Sequence, residues 1–282
     1  MTRRRDPWLR PGRHSVVTGG SSGLGLEISR QLVARGVSVT LLARDESRLA
    51  AAAESLRARA ASGTEVGTLS VDIGDADGVV GALGTLAGTH PFELLVNSAG
   101  IMREGYFETL PATAFTEVMD INFHGTVKVI RAALPHLPHP GGRIVTIASI
   151  AGLTGVFGYT PYCAAKHALV GFTDALRFEL EPQGLEIHLI CPGEFDSPLV
   201  AALDATRTPE NRAHTLTIPK VDVAQIATQT LDAVDSGREQ VIPGRIPALM
   251  SAGRRLFPAT GRMIGRRKIA AVYRGPRTSR RP

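Results

Sequence analysis

The chain has 282 residues, of which 43% are hydrophobic and 21% charged, enough for one large globular domain with a buried core. No apolar run approaches the roughly 18 residues of a membrane span or follows the basic N-terminus as in a secretory signal. Two cysteines, Cys163 and Cys191, are too few for a disulfide framework, so we expect a reducing, cytoplasmic location.

Short β-branched runs alternate with longer helical stretches from His14 to Pro243. Seven runs are predicted as strands: Ser15–Thr18, Ser38–Ala43, Glu65–Asp72, Leu94–Asn97, Arg143–Ser149, Glu186–Cys191 and Gln240–Ile242. Six stretches are predicted as helices: Gly23–Ala34, Glu46–Ala61, Ala76–Ala87, Pro111–Leu134, Pro161–Glu181 and Val221–Val234. This alternation predicts an α/β fold, a Rossmann-type doubly wound sheet of about seven parallel strands with helices on both faces.

A glycine-rich turn joins the first predicted strand to the first predicted helix. Its sequence is Thr18-Gly19-Gly20-Ser21-Ser22-Gly23-Leu24-Gly25, with the spacing G-x-x-x-G-x-G. Glycines let the backbone turn sharply and approach a pyrophosphate, whose charge is met by the N–H groups at the helix N-terminus. The turn therefore predicts a dinucleotide site.

The residues after the second and third strands bear on which dinucleotide is bound. Arg44 comes first after the second strand and suits the 2′-phosphate of NADP, which makes NADP(H) the preferred cofactor. Asp45 keeps NAD(H) open, although it is better placed to cap the next helix. Asp72 is placed to contact the adenine or to cap a helix, and Ile73 is assigned to the same cofactor site.

Tyr162 and Lys166 are four residues apart in a predicted helix, so their side chains share one face. A lysine ammonium beside a tyrosine hydroxyl favours the phenolate and predicts a lowered pKa for Tyr162. Such a tyrosine is suited to the proton transfer that carbonyl reduction and alcohol oxidation both require.

Two regions fall outside the alternation. Ser197–Pro219 is a long segment after the sixth strand and is predicted to be a functional lid over the substrate. The tail after Pro243 is amphipathic, and we expect Pro258 and Gly261 to break it into two pieces. Such a tail can lie on an anionic membrane, pack over a substrate mouth or dock on another subunit.

The net charge of +6 is concentrated at the two ends of the chain. Residues 1–13 hold five arginines and one aspartate, and residues 244–282 hold eleven basic residues and no acid, which leaves residues 14–243 at −9. We therefore predict a basic arm, a catalytic domain and a basic amphipathic tail. The basic ends indicate either solvated termini or peripheral contact with the inner face of a membrane. The acidic body, and a tail without interleaved aromatics, argue against a nucleic-acid partner.

Taken together, the motifs closely resemble the short-chain dehydrogenase/reductase family over residues 14–243. In chain order they are the TGGSSGLG turn at 18–25, Asn97-Ser98-Ala99-Gly100, Asn122, Ser149, Tyr162-x-x-x-Lys166 and Pro192-Gly193. Any one of them is modest evidence, but their order on this βα alternation is specific.

The resemblance implies a role for each catalytic residue. Tyr162 would be the general acid for reduction and the base for oxidation, with Lys166 lowering its pKa and binding the nicotinamide ribose. Ser149 would hydrogen-bond the substrate oxygen, and Asn122 would hold a water in a proton relay. Asn97, Ala99, Gly100, Pro192, Gly193 and Phe195 would shape the cofactor pocket, and Ser197 would contact the carboxamide. The eight histidines form no ligand cluster, so no catalytic metal is predicted.

Within the family, the chain looks most similar to the 3-ketodihydrosphingosine reductase branch. The similarity lies in Gly158–Tyr162, Pro192–Pro198, Pro209–Asn211 and the hydrophobic and basic C-terminal extension. It implies a small, lipid-like carbonyl substrate. Steroids, retinoids and 3-oxoacyl thioesters remain alternatives, as does a non-catalytic dinucleotide-binding regulator. By analogy with the family, the two long helices would pair subunits into a homodimer or homotetramer.

Overall fold

A computed structural model describes residues 7–215 and 219–274. Its centre is a seven-stranded parallel sheet with the order β3-β2-β1-β4-β5-β6-β7. The strands are β1 His14–Thr18, β2 Ser38–Ala43, β3 Val66–Ser70, β4 Leu94–Asn97, β5 Arg143–Ile147, β6 Glu186–Ile190 and β7 Gln240–Val241. The strand order reverses at β1 and β4, where parallel α/β sheets bind their ligands at the carboxyl ends.

Helices cover both faces of the sheet, so the predicted fold class is confirmed. The helices are α1 Gly23–Ala34, α2 Glu46–Arg57, α3 Ala76–Thr89, α4 Ala112–Met119, α5 Thr126–Ala133, α6 Thr160–Leu180, α7 Pro198–Thr206, α8 Pro209–Thr215, α9 Val223–Ser236, α10 Arg245–Leu256 and α11 Pro258–Arg274. Helices α1, α2 and α9 bury apolar side chains against one face in one core cluster. Helices α3, α5 and α6 do the same on the other face.

Several predicted boundaries were too long because strand pairing stops before the chain turns away. β3 ends at Ser70 and β5 at Ile147. Asp72 and Ser149 therefore each lie two residues beyond a strand rather than at its end. The strand register still brings the carboxyl ends of β1, β4 and β5 side by side, since Thr18 pairs with Asn97 and Asn97 pairs with Thr146.

The predicted helix Pro111–Leu134 is not continuous. A π-helical turn, Asp120–Gly125, separates α4 from α5. At Gly125 an added Cβ would lie 2.8 Å from the Ile73 Cδ1 atom, so a larger residue there would require the Ile73 side chain to move. The wider turn holds Asn122 fully buried, and π-helical turns of this kind are frequent at functional sites.

The predicted lid contains α7 and α8, and its residues 216–218 lie outside the described part of the chain. The tail forms α10 and α11, with the break at Phe257–Pro258. The predicted break at Gly261 was wrong, because Gly261 continues α11 and lies against the Arg254 side chain. Residues 275–282 of the predicted tail also lie outside the described part.

The described half of the predicted N-terminal arm packs against the body. Leu9 is buried and its backbone N–H donates to Asp235 Oδ1 at 2.8 Å. The Trp8 ring lies between the guanidinium groups of Arg13 and Arg143, at 4.0 and 4.6 Å. Residues 1–6 of the arm lie outside the described residues. No helix within residues 7–215 and 219–274 is both long and apolar enough to cross a membrane.

Candidate active site

A cavity of about 560 Å³ opens at the carboxyl ends of the central strands. It extends from the glycine-rich turn, past the start of α6, to the lid helix α7 and the tail helices α10 and α11. Thirteen of the residues predicted for the site line it: Gly19, Ser22, Gly23, Leu24, Ala99, Gly100, Ser149, Tyr162, Lys166, Pro192, Gly193, Phe195 and Ser197. The fold therefore brings the glycine-rich turn and the Tyr162–Lys166 pair to one space.

Lys166 is buried beside Tyr162 on the first turns of α6. Its ammonium donates to the Ile147 carbonyl at 2.9 Å and lies 5.6 Å from the centroid of the Tyr162 ring. Burial lowers the pKa of Lys166 to about 8, because a charged group is costly in an apolar surrounding.

The predicted lowering of the Tyr162 pKa was wrong for the protein on its own. Burial raises the pKa of Tyr162 to about 12, and a hydrogen bond with the Ser149 side chain only partly opposes this. The charge of Lys166 does not outweigh the loss of water around the phenol. Tyr162 is therefore held as the neutral phenol.

Ser149 lies just beyond β5 and is fixed by its neighbours. Its hydroxyl accepts from the Ala151 N–H at 3.1 Å and donates to the Pro192 carbonyl at 3.4 Å. These contacts anchor the side chain between the loops that follow β5 and β6. The Ser149 hydroxyl thus meets the Tyr162 hydroxyl inside the cavity.

Asn122 does not line the cavity but lies directly behind it. Its Oδ1 accepts from the Ile101 N–H at 2.7 Å, and its Nδ2 donates to the Ile101 carbonyl at 2.9 Å. A Cβ added to Gly100 would lie 3.1 Å from Asn122 Oδ1 and 3.9 Å from Lys166 Nζ. The absence of a side chain at Gly100 lets these two polar groups come close.

The N-terminus of α1 is suited to an anion. Its N-cap residue, Ser22, makes no side-chain capping bond, and the first turn contains no acid. By contrast, Asp45 caps α2, as predicted, and Asp75 caps α3 in place of Asp72. The first N–H groups of α1 therefore have no side-chain acceptor and carry the positive end of the helix dipole.

The turn before α1 leaves room only for backbone. Gly19 has φ +67°, and an added Cβ there would lie 2.9 Å from the Ala99 Cα. At Gly25 an added Cβ would lie 2.6 Å from the Gly19 carbonyl oxygen. The glycines thus let the turn, the loop after β4 and α1 pack at close range, and they form a cradle that fits a pyrophosphate.

The remaining predicted cofactor residues lie outside the cavity lining: Thr18, Ser21, Gly25, Arg44, Asp72, Ile73 and Asn97. The Thr18 hydroxyl accepts from the N–H groups of Ser98 and Ala99, which ties β1 to the loop after β4. Asn97 is buried, and its Oδ1 atom has no hydrogen-bond partner among the described residues. Ile73 packs into the core against Gly125.

Arg44 and Asp72 lie together at the edge of the sheet, beyond the cavity. Arg44 is 63% exposed, and its Nη1 lies 3.6 Å from the Asp72 carboxylate. Asp45 is occupied by its helix cap, which leaves the guanidinium as the charged group facing the space at the end of β2. Asp72 also accepts from the Gly74 N–H at 2.8 Å.

Sequence reasoning missed a buried arginine that organises the lid. The Arg207 side chain is fully buried and forms ion pairs with Glu194 and Asp204, both at 2.7 Å. It also donates to the Tyr159 hydroxyl at 3.4 Å and to Asn211 Oδ1 at 3.1 Å. No local pattern marks such a residue, because its partners come from three separate segments. Tyr159 is therefore a buried member of this network that also lines the cavity.

No group of three or more histidine, cysteine or acidic side chains within residues 7–215 and 219–274 is arranged to hold a metal ion. The arrangement seen instead is that of organic acid–base chemistry, with a phenol, a hydroxyl and an ammonium around an apolar space.

Comparison with known proteins identifies the family that the chain matches. The family model described as short chain dehydrogenase matches residues 13–208. A 3-ketodihydrosphingosine reductase from Bos taurus is 32% identical over 273 residues, which cover 94% of this chain and 82% of that protein. An actinorhodin polyketide ketoreductase solved with NADPH is 28% identical, with a TM-score of 0.71, and the match covers 82% of this chain and 95% of that one. A Burkholderia phymatum short chain dehydrogenase/reductase solved with NAD is 25% identical, with a TM-score of 0.75, covering 96% and 99%.

Proposed function

We propose, because this chain belongs to the short-chain dehydrogenase family and is therefore an oxidoreductase, that it uses NADP(H) to reduce a ketone carried on a long apolar chain. The observation that supports this most directly is the convergence of Ser149, Tyr162 and Lys166 on one largely apolar cavity that begins at the glycine-rich turn. The reverse reaction, oxidation of the matching secondary alcohol, uses the same groups.

Tyr162 is the proton donor in this proposal. Reduction adds a hydride to the carbonyl carbon and a proton to the carbonyl oxygen, whose π-electron pair becomes the new O–H bond. The neutral Tyr162 phenol supplies that proton and is left as a phenolate. Ser149, hydrogen-bonded to Tyr162, would turn its one hydroxyl hydrogen from the Pro192 carbonyl to the same oxygen and so stabilise the developing alkoxide.

Lys166 and Asn122 act on Tyr162 after it has given its proton to the substrate. The Lys166 ammonium stabilises the phenolate that forms beside it. Asn122 lies behind Gly100 within reach of the Lys166 side chain, where it can hold a relay water that returns a proton to the site. The two buried residues thus connect the acid to solvent.

The glycine-rich turn and the uncapped N-terminus of α1 would hold the pyrophosphate of the dinucleotide. Asn97, whose buried Oδ1 lacks a partner among the described residues, and Ala99, Gly100, Pro192, Gly193, Phe195 and Ser197 would hold its nicotinamide half. When bound, the dinucleotide supplies or accepts the hydride. Ser197 also caps α7 through a bond from the Val200 N–H, so the same residue links the cofactor site to the lid.

Arg44 favours NADP(H) over NAD(H). It is the cation at the end of β2, and Asp45, the acid that would favour a free ribose hydroxyl, is engaged as a helix cap. Asp72 pairs with Arg44 and would lie at the adenine side with Ile73 behind it. Among similar structures one was solved with NADPH and one with NAD, so NAD(H) is the second candidate.

The lining of the cavity supports a lipid-like substrate. Apolar side chains from the lid and tail helices face the catalytic end, among them Leu199, Leu203, Met250, Phe257 and Ile264. The similar Bos taurus protein is a 3-ketodihydrosphingosine reductase, and the similar solved structure is a polyketide ketoreductase. A ketone on a long-chain base or acyl chain is therefore the proposed substrate class, with steroids and retinoids as alternatives.

The proposal places the enzyme in the cytoplasm as a homodimer or homotetramer, with its basic tail touching a membrane surface. Phe178 on α6 is 83% exposed and Phe107, ahead of α4, is 71% exposed, which supports pairing through these helices. The tail exposes Leu249, Leu256 and Phe257 among its arginines, which supports peripheral contact with anionic lipid. Sedimentation velocity in dilute solution tests the oligomeric state.

A Tyr162→Phe variant tests the acid–base assignment. Loss of the proton donor should lower turnover by at least about 100-fold, the range for removal of a general acid. NADPH affinity should remain near that of the wild type, because the phosphate cradle is untouched. The measurement is NADPH consumption with a panel of long-chain ketones. Near-normal turnover of the variant would refute the role, whereas a wild-type protein that binds NADPH but reduces no ketone of the panel would favour a regulatory, non-catalytic protein.

A further inference from the structure

Arg254, on α10, is a half-buried cation at the tail end of the cavity. Its Nη1 donates to the Thr154 hydroxyl at 2.6 Å, which links the tail to the loop after β5. No carboxylate in residues 7–215 and 219–274 forms an ion pair with it. Burial lowers the pKa of Arg254, since the guanidinium has lost water without gaining a counter-ion.

His214 and Lys268 lie at the same corner. The pKa of His214 is lowered first by burial and then by the charges of Arg254 and Lys268, so the protonated form of His214 is disfavoured there. Two glycines, one helical turn apart on α11, allow the close approach. An added Cβ at Gly261 would lie 2.9 Å from the Arg254 side chain, and one at Gly265 would lie 3.1 Å from His214 Nε2.

A second cavity of about 390 Å³ adjoins this corner. It shares five lining residues with the catalytic cavity: Thr154, His214, Arg254, Gly261 and Gly265. Arg262 and Arg266 complete its charged lining, to which no acidic side chain of the described residues contributes. The apolar catalytic cavity thus continues into a pocket lined by three arginines and a histidine.

We propose that this second cavity is the subsite for an anionic head group, of the phosphate class, on the substrate itself. The substrate would be an amphiphilic ketone whose apolar chain occupies the catalytic cavity and whose head lies against Arg254, Arg262 and Arg266. Arg254 is half-buried and the exposed Arg262 and Arg266 lie beside it, so a bound anion offsets the cost of holding these like charges together through charge-assisted hydrogen bonds. This inference rests on the proposed ketone reduction and narrows the class of ketone that the enzyme would reduce.

The same charges disfavour a cationic head. An ammonium beside the ketone needs an acid, and among residues 7–215 and 219–274 the one acidic residue that lines the catalytic cavity is Glu194. Its carboxylate is already paired with Arg207 at 2.7 Å and lies 3.8 Å from the Lys220 ammonium. A 3-oxoacyl thioester of a phosphate-bearing carrier therefore fits the two cavities better than a long-chain amino ketone.

Matched substrates test the head-group subsite. We compare 3-oxohexadecanoyl-CoA with the uncharged N-acetylcysteamine thioester of the same acid, using NADPH consumption. In Arg262→Gln/Arg266→Gln the KM for the CoA thioester should rise at least about tenfold, as expected for weakened charge-assisted contacts. The KM for the uncharged thioester should change less than about twofold by the same reasoning.

The control is Arg255→Gln/Arg267→Gln, which removes the same charge from the tail, with one residue on α10 and one on α11. Both arginines are exposed and line neither cavity, so KM for both thioesters should stay near the wild-type values. An equal rise of KM for the charged thioester in the two double variants would overturn the proposal, because it would show a general effect of tail charge.

A binding experiment tests the head-group subsite independently of ketone reduction. Hexadecanoyl-CoA has no 3-oxo group, and its calorimetric affinity should fall in Arg262→Gln/Arg266→Gln even if no ketone is turned over. Sedimentation with phosphatidylglycerol vesicles and titration with inorganic phosphate distinguish other sources of the anion. The proposal fails if the variant loses vesicle or phosphate binding while its affinity for hexadecanoyl-CoA is unchanged.

Discussion

At the residue scale, burial moves the pKa values of Tyr162 and Lys166 in opposite directions. It raises that of the phenol to about 12 and lowers that of the ammonium to about 8, because it penalises the charged form of each. At neutral pH the pair is then a neutral phenol beside a protonated lysine. That is the state needed to donate a proton to a ketone and to stabilise the phenolate left behind.

We expect reduction to slow as the pH rises through about 8. The pKa of Lys166 is lowered, so the ammonium is present below that pH and is lost above it, together with its stabilisation of the Tyr162 phenolate. The measurement is kcat/KM for ketone reduction between pH 6 and 10. Lys166→Arg should be slower but lose this decline, because its guanidinium does not titrate in that range. A wild-type profile that stays flat to pH 10 would contradict the assignment.

Arg44 is expected to select the phosphorylated cofactor. Arg44→Ala should raise the KM for NADPH by roughly tenfold or more, since a charge-assisted contact to the 2′-phosphate is lost. The KM for NADH should change little, and initial rates with each cofactor give the ratio. Arg48→Ala, on the exposed start of α2, is the matched control. Equal weakening of both cofactors in Arg44→Ala would indicate a structural effect through its Asp72 pair.

The sequence was enough to propose Asn122, Ser149, Tyr162 and Lys166 as catalytic residues, but it did not indicate Arg207, and the reason is physical. Tyr162 and Lys166 lie within one helical turn, and Ser149 follows a strand whose position the apolar pattern predicts. Arg207 pairs locally with Asp204, but its contacts with Glu194 and Tyr159 form only when these separate segments pack against it. The pKa of Tyr162 is raised rather than lowered for a similar reason. The spacing predicts that Lys166 is a neighbour of Tyr162, but it does not predict that burial removes water from the phenol.

At the scale of elements, the periodicity predicted the strands and most helices, and it failed where packing overrides propensity. The sequence pattern of Pro111–Leu134 does not predict the π-helical turn, which ends at Gly125 where the chain packs closely against Ile73. Gly261 was predicted to end a helix, yet α11 continues through it because Arg254 occupies the space that a side chain would take. A glycine therefore predicts a helix end only where no neighbouring group occupies the space that its side chain would take.

Two glycine substitutions separate close packing from helix propensity. Gly25→Ala would place a Cβ 2.6 Å from the Gly19 carbonyl, so we expect a loss of about 1–3 kcal/mol in unfolding free energy and weaker NADPH binding. Gly171→Ala in α6 meets nothing within 4 Å and should gain about 0.5–1 kcal/mol from helix propensity. Thermal or urea unfolding gives both values. A destabilised Gly171→Ala, or a neutral Gly25→Ala, would contradict the packing described for these sites.

At the scale of the whole molecule, the body carries a net negative charge, whereas the tail is basic and amphipathic. The sequence allowed three uses for the tail: membrane contact, a cover for the substrate, or a subunit contact. In the structure α10 and α11 line the far end of the catalytic cavity, while Leu249, Leu256 and Phe257 remain exposed. Sequence could not select among these uses, because the choice depends on how the tail packs against α8 and the loop holding Thr154.

Deleting residues 246–282 tests the two roles that the tail can combine. Sedimentation with anionic liposomes should fall sharply, since ten of its eleven basic residues and its exposed apolar side chains are removed, each basic residue near the surface contributing about 1 kcal/mol. KM for a long-chain ketone should rise because one wall of the cavity is lost, whereas NADPH affinity should persist at the distant glycine-rich turn. Uncharged phosphatidylcholine liposomes are the lipid control, and circular dichroism verifies that the shortened body is folded. Liposome binding equal to that of the full chain would restrict the tail to covering the cavity, and an unchanged KM would remove that role as well.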